Sequence, residues 1–152
     1  MKMRGVIKEF DEDLYNKYDI PARNLVKEKL GVYVRDNPDI YAQDLILDIP
    51  AELNCKYKYI ELQVCASWIG ESYPYSCPFI YERKAGYSFN TLFIIFNRNF
   101  TRGLLFDRAA VNNVPRRARK YSKYYVYDIN WGNVVQFYTE HFNIDQILYY
   151  DY

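Results

Sequence analysis

Two segments of the chain alternate apolar and polar residues with a period of two: Asp44-Leu45-Ile46-Leu47-Asp48-Ile49 and Tyr57-Lys58-Tyr59-Ile60-Glu61-Leu62-Gln63-Val64-Cys65-Ala66. Successive side chains of a strand point to opposite faces, so this period is that of a β-strand and not of a helix. Pro50 ends the first segment, and residues 50–56 join the two as an antiparallel pair. In the first, Leu45, Leu47 and Ile49 share one face, and Asp44, Ile46 and Asp48 share the other. In the second, Ile60, Leu62 and Val64 share one face, and Glu61, Gln63 and Cys65 share the other. Each strand thus has an apolar face and a face with carboxylates.

The rest of the chain supplies the partners. Residues 21–30 read as a helix, with Ala22, Leu25, Val26 and Leu30 on its apolar stripe, Asp19 as N-cap and Gly31 as the stop. Residues 9–18 form an acidic segment that suits a short surface helix. Short strands are expected at 31–35 and 124–129, and a buried hairpin from 90–96 and 103–106. Residues 79–86 fit a helix or a strand equally. Residues 134–142 are expected to be a helix through Val134, Val135, Tyr138 and Phe142, and 144–152 another short strand. This order predicts an α/β fold: a single domain over residues 1–152, with a central mixed β-sheet flanked by helices and residues 1–18 peripheral.

Composition excludes several classes. The chain has 152 residues, half of them apolar and 19% aromatic, which is too rich in core formers for a disordered protein. Its 20 Lys and Arg nearly cancel 19 Asp and Glu, so uniform charge does not hold a partner. Three cysteines, at 55, 65 and 77, match no zinc spacing and argue against a disulfide scaffold. The apolar run from Leu92 to Phe96 is too short to span a bilayer. The opening residues, MKMRGVIKEFDEDLY, lack the apolar core of a signal peptide. The expectation is a soluble intracellular protein with no membrane association. The heavy use of Tyr and Asn hints at an AT-rich genome, such as that of a large DNA virus.

Aligned polar faces on the two strands would bring Asp44 or Asp48 near Glu61. Two carboxylates on neighbouring strands can hold Mg²⁺, and such a cation suits phosphodiester hydrolysis. The same alternation is also what a half-exposed hairpin shows. Both readings stand on spacing alone.

Asp44-Leu45-Ile46-Leu47 followed by Tyr59-Ile60-Glu61-Leu62-Gln63-Val64 resembles the core of the PD-(D/E)XK, or restriction-endonuclease-like, nuclease superfamily. That family sets an Asp at the start of one strand and Glu-x-Lys on the next, after a helix that residues 21–30 would supply. The resemblance implies a metal-dependent DNA endonuclease with Mg²⁺ or Mn²⁺ held by Asp44, Glu61 and the Leu62 carbonyl. Two departures stand out: Gln43 precedes Asp44 where Pro is common, and Gln63 replaces the usual Lys. Gln63 would help position water but supplies no charge. Lys84 is the candidate for a displaced lysine. Asp48 is the alternative first ligand. Glu28, off the apolar stripe of the preceding helix, is either a solvated surface residue, the reading favoured here, or an acidic residue that reaches the site. Duplex cleavage by so small a chain would call for a homodimer. A chain that lost its lysine would instead be a non-catalytic, Tyr-rich binding or structural protein, such as a viral assembly component.

A second feature is basic. Arg116, Arg117, Arg119, Lys120 and Lys123 lie among tyrosines. Such a cluster neutralises phosphates while the rings stack on bases, so it is the candidate DNA-binding segment, extended by Arg98 and Arg102. The alternative is a solvated connection. Trp68 with Tyr73-Pro74-Tyr75 is either a stacking platform or an aromatic cover over the core. His141 and Cys65 are read as structural.

Overall fold

The computed structural model describes residues 12–117 and 125–150. A short turn α1 (Glu12–Leu14) and a π-helical turn (Tyr15–Asp19) run directly into α2 (Ile20–Leu30). Ala22, Val26 and Leu30 recur at four-residue spacing and are buried. Pro21 lacks the amide that would bond back to Lys17, and the wider π turn lies over that gap. Asp19 is therefore inside a continuous helical rod (φ −70°, ψ −46°) and makes no cap hydrogen bond, contrary to its expected role. Gly31 does end the helix, at φ 57°, with its amide on the Lys27 carbonyl.

Three antiparallel strands follow: β1 (Val34–Asp36), β2 (Leu45–Leu47) and β3 (Tyr59–Cys65). The chain then forms β4 (Phe79–Tyr81) and α3 (Glu82–Ala85), so the ambiguous 79–86 segment is half strand and half helix. It returns as β5 (Thr91–Asn97), parallel to β3 over its whole length. The expected hairpin is completed by β6 (Arg102–Asp107), where Phe93 and Phe106 pair across the strands and stack at 5.4 Å. Then come β7 (Val111–Arg117), β8 (Tyr125–Ile129), β9 (Val135–Tyr138) and α4 (Ile144–Leu148).

The strands form two sheets. A mixed six-stranded sheet has the order β1-β2-β3-β5-β6-β9, and a three-stranded antiparallel sheet the order β4-β8-β7. Leu45, Leu47, Ile60, Leu62, Leu92 and Ile94 share one apolar cluster with Ala22, Val26 and Leu30 of α2 and Ile147 of α4. Phe93, Ile95, Leu104 and Phe106 share the other with Ile80, Ala85, Tyr127 and Ile129. The chain is thus a single mixed α/β domain, with α2 and α4 on one face of the large sheet. The small sheet and α3 cover the other.

Three elements differ in type from expectation. Gly31–Tyr33, expected to begin a strand, is a 3₁₀ turn, and β1 starts only at Val34. Residues 134–142 are not a helix: β9 closes the edge of β6, and a single 3₁₀ turn follows at Thr139–His141. Phe137, which the helical stripe omitted, is the buried residue of β9 at 5% exposure. Its ring lies over Gly103, its partner in register, so closely that a Cβ there would sit 2.1 Å from Phe137 Cζ. The tail is a helix and not a strand. Asn143 accepts from the Asp145 amide, and Gln146 reaches back to the Asn143 amide, forming a capping box. Among the described residues no helix is long and apolar enough to cross a membrane.

Candidate active site

The pairing of β2 with β3 sets the site. The register Leu45↔Ile60 brings Asp44, just before β2, alongside Glu61. The Asp44 amide donates to Glu61 Oε1 at 3.1 Å, and the Leu62 amide donates to Asp44 Oδ2 at 2.9 Å. Each carboxylate is thus tied to the other strand's backbone.

Lys84 arrives from outside this pair. Tyr81 is extended (φ −74°, ψ 152°) and turns the chain from β4 into α3, where Lys84 and Ala85 are buried. The Lys84 ammonium donates to the Leu62 carbonyl at 2.8 Å and lies 3.2 Å from Glu61 Oε2. Both side chains of the pair are 5% exposed. Glu61 therefore does not lie on a solvated hairpin face: the small sheet and α3 bury it. Burial, with the Asp44 charge adding to it, outweighs the pull of Lys84 and raises its carboxyl to about 7.

Arg23, from α2, completes the network and went unnoticed in the sequence. Its guanidinium donates to Asp44 Oδ1 at 2.6 Å and to the Asp44 carbonyl at 3.0 Å. It also lies 3.7 Å from Asp36, which accepts from Lys27 at 3.0 Å. Arg23 and Lys27 sit one turn apart at the edge of the apolar stripe, but nothing short of the fold links them to Asp44. Tyr87 is a second omission. Burial and then the nearby Glu61 charge push its phenol up, so it stays protonated beside the site. A groove of about 310 Å³ opens at Asp44, lined by Arg23, Lys27, Asn37 and Gln43 together with Ile20 and Ile40.

Other candidates are elsewhere. Gln63 shares the Glu61 side of β3, but its amide donates to the Phe79 carbonyl at 3.1 Å and ties β3 to β4. Its buried Oε1 has no hydrogen-bond partner. Asp48 is four residues along from Asp44, about 13 Å at the usual rise per strand residue. It is exposed and bonded to Arg35 at 2.6 Å, so Asp44 and not Asp48 meets Glu61. Glu28 is exposed and lines a different groove, with Gly70, Glu71 and Arg102. Gln43 is buried and holds Thr91 at 2.9 Å.

Of the basic segment, Arg116 and Arg117 end β7 and are exposed. Arg119, Lys120 and Lys123 lie outside the described residues. Arg116 is held by Asp128 of β8 at 2.9 Å, and Arg117 lies over the Tyr125 ring at 4.9 Å. Arg102 does not act as an extension of the patch. It bonds the Phe137 and Glu71 carbonyls and lies over Tyr138. Trp68 is fully buried and is a core aromatic. His141 is exposed beside Glu140.

Among the described residues no three of His, Cys, Asp and Glu converge as a metal cage. Mg²⁺ does not need one, because it binds through one or two carboxylates and keeps waters or substrate oxygens. Asp44, Glu61 and the Leu62 carbonyl are hard oxygen donors, and two of them already face a cation, the Lys84 ammonium. An ion at these donors would share Glu61 and the Leu62 carbonyl with the Lys84 ammonium. Comparison with protein-family models, curated proteins and solved structures finds no match.

Proposed function

We propose that the chain is a Mg²⁺- or Mn²⁺-dependent DNA endonuclease of the PD-(D/E)XK type. One observation carries this reading: a lysine reaches the Glu61–Leu62 edge from α3, where β3 itself supplies only Gln63. The element order supports it too. A helix precedes an antiparallel β1-β2-β3 run, and α3 leads to a strand parallel to β3.

In this reading Asp44, Glu61 and the Leu62 carbonyl would hold the ion, which would supply Lewis-acid polarisation of the scissile phosphate. Lys84 lies against Glu61 and the Leu62 carbonyl, so its ammonium would orient the attacking water and stabilise negative charge developing on the phosphoryl oxygens. Arg23 holds Asp44 at two atoms and keeps its carboxylate on the Leu62 amide. Burial by α3 and the small sheet limits water around Glu61, which strengthens each of these charges.

A second reading has its own observation. Asp44 is matched by Arg23 and Glu61 by Lys84, so the network is charge-balanced without an ion. A non-catalytic relative that kept the pair as a structural element would look the same. Incubation of supercoiled and linear DNA with Mg²⁺, Mn²⁺ or EDTA separates the two. The nuclease reading expects metal-dependent nicking that disappears in Asp44→Asn and Glu61→Gln. No cleavage by folded wild-type protein with either metal would favour the non-catalytic reading.

A further inference from the structure

One face of α2 carries Ile20, Arg23, Asn24 and Lys27, at helical positions i, i+3, i+4 and i+7. The loop between β1 and β2 runs opposite, and the two enclose the groove of about 310 Å³ at Asp44. Hydrogen bonds within the loop fix its shape. The Asn37 amide donates to the Asp44 carbonyl at 3.2 Å, and the Ala42 amide to the Asp39 carbonyl at 3.1 Å. The Asp39 and Tyr41 amides donate to the Asn37 and Asp39 side chains, each at 3.0 Å.

The charges of this groove argue against phosphate. Two cations, Arg23 and Lys27, stand against three carboxylates, Asp36, Asp39 and Asp44. Both cations are already paired, Arg23 with Asp44 and Asp36, and Lys27 with Asp36. The groups left for a ligand are neutral. Gln43 is 7% exposed, and its Nε2 is anchored on Thr91 at 2.9 Å. Its Oε1 accepts from none of the described residues. Asn24 is exposed and has no partner among the described residues, and the Asn37 side-chain nitrogen donates to none of them. Ile20 is half-buried on one wall, and Ile40 is 82% exposed on the other.

A fixed acceptor beside amide donors complements a flat ring that has an amino group next to a ring-nitrogen acceptor. Adenine and cytosine have that pair of groups, and thymine does not. Aliphatic walls cover the faces of such a ring. The volume is at the small end of ligand sites, which suits one base and not a run of them. We infer that this groove holds the base next to the scissile phosphate and that Gln43, Asn24 and Asn37 select adenine or cytosine over thymine. The choice of a nucleobase rests on the nuclease reading, because Asp44 is what would place a phosphodiester beside the groove. A base stacked in a duplex cannot enter, so the strand is unpaired there.

The test has two arms. In EDTA, wild-type protein is titrated with deoxyadenosine, deoxycytidine and thymidine and followed by ¹H–¹⁵N NMR. The first two should shift the side-chain amide signals of Gln43, Asn24 and Asn37, and thymidine should not. Asn24→Ala and Ile40→Ser change exposed side chains, and each should weaken deoxyadenosine binding about three-fold or more. Thermal melting checks that both variants fold. With Mg²⁺, single strands that differ in the one base beside the cut should be cleaved faster with adenine or cytosine there, and Asn24→Ala should narrow that preference. No shift with any nucleoside, equal shifts with thymidine, unchanged binding by both folded variants, or cleavage blind to that base would overturn the proposal. Failure of wild-type protein to cleave any DNA with Mg²⁺ would overturn the Asp44–Glu61–Lys84 reading instead, and the titration in EDTA then decides the groove by itself.

Discussion

On the helix side of β3, Ile60 and Leu62 join Ala22, Val26 and Leu30 in an entirely apolar cluster. On its other side Glu61 meets Lys84, and the two side chains are as deeply buried as their apolar neighbours. The same strand therefore has two dry faces, held by different physics. Burial of apolar area stabilises the first directly. The second carries a desolvation penalty that the pair's attraction has to offset, and an apolar pair of the same volume would often be as stable. Packing alone gives no reason for charges at Glu61 and Lys84, and this contrast directs attention to chemistry there.

The largest effect should come from breaking the pair. Lys84→Met leaves Glu61 buried without its cation and should cost about 3–5 kcal/mol in urea unfolding. The double variant Glu61→Gln/Lys84→Met should recover most of that loss. A double variant as unstable as the single one would show that the two do not act as a unit. On the apolar side, Leu45→Ala should cost about 2–5 kcal/mol by opening a cavity. It should leave the pH dependence of stability unchanged.

Shape matters at the far end of the same sheet. Gly103→Ala puts a methyl group into the Phe137 ring and should cost about 1–3 kcal/mol, because β9 must shift to admit it. The pH response belongs to the polar side. Glu61 titrates at about 7 in the folded chain, above its ordinary value of 4.5, so the folded state binds the extra proton between them. Stability should therefore fall as pH rises from about 4.5 to about 7, and this group should add no slope outside that window. Urea midpoints across the range should show the fall in wild-type protein and lose it in Glu61→Gln. The smallest effect is expected at Asp48, whose pair with Arg35 is exposed. Asp48→Ala should change stability by less than about 1 kcal/mol.

The sequence was most legible where pattern and pairing are local. Alternation in β2 and β3 identified their pairing, and four-residue spacing identified α2. Parity also assigned Glu61 and Gln63 to one side of β3. It did not tell that this side is buried, because the covering strands β4, β8 and β7 come from later in the chain. β7 is the hardest to see: it includes Pro115 and four charged or amide residues, Asn112, Asn113, Arg116 and Arg117, and Pro is tolerated there because β7 is an edge strand with a register shift between Val111 and Pro115. Residues 134–142 misled because Val134, Val135, Tyr138 and Phe142 fall at helical spacing. The free edge of β6 decides the matter, and Phe137 over Gly103 fixes the register. The approach of Lys84 to Glu61 follows the expectation of a displaced lysine in position alone. Arg23 was not anticipated, since only the packing of α2 brings it to Asp44.

The most direct measurement is metal-dependent cleavage of supercoiled DNA by Lys84→Met beside wild-type protein, with circular dichroism confirming that both are folded. If Lys84 supplies the charge that Gln63 lacks, wild-type protein nicks the plasmid with Mg²⁺ or Mn²⁺ and Lys84→Met is slower by about 10²-fold or more. Equal cleavage by the two proteins, or none by either, would contradict the assignment.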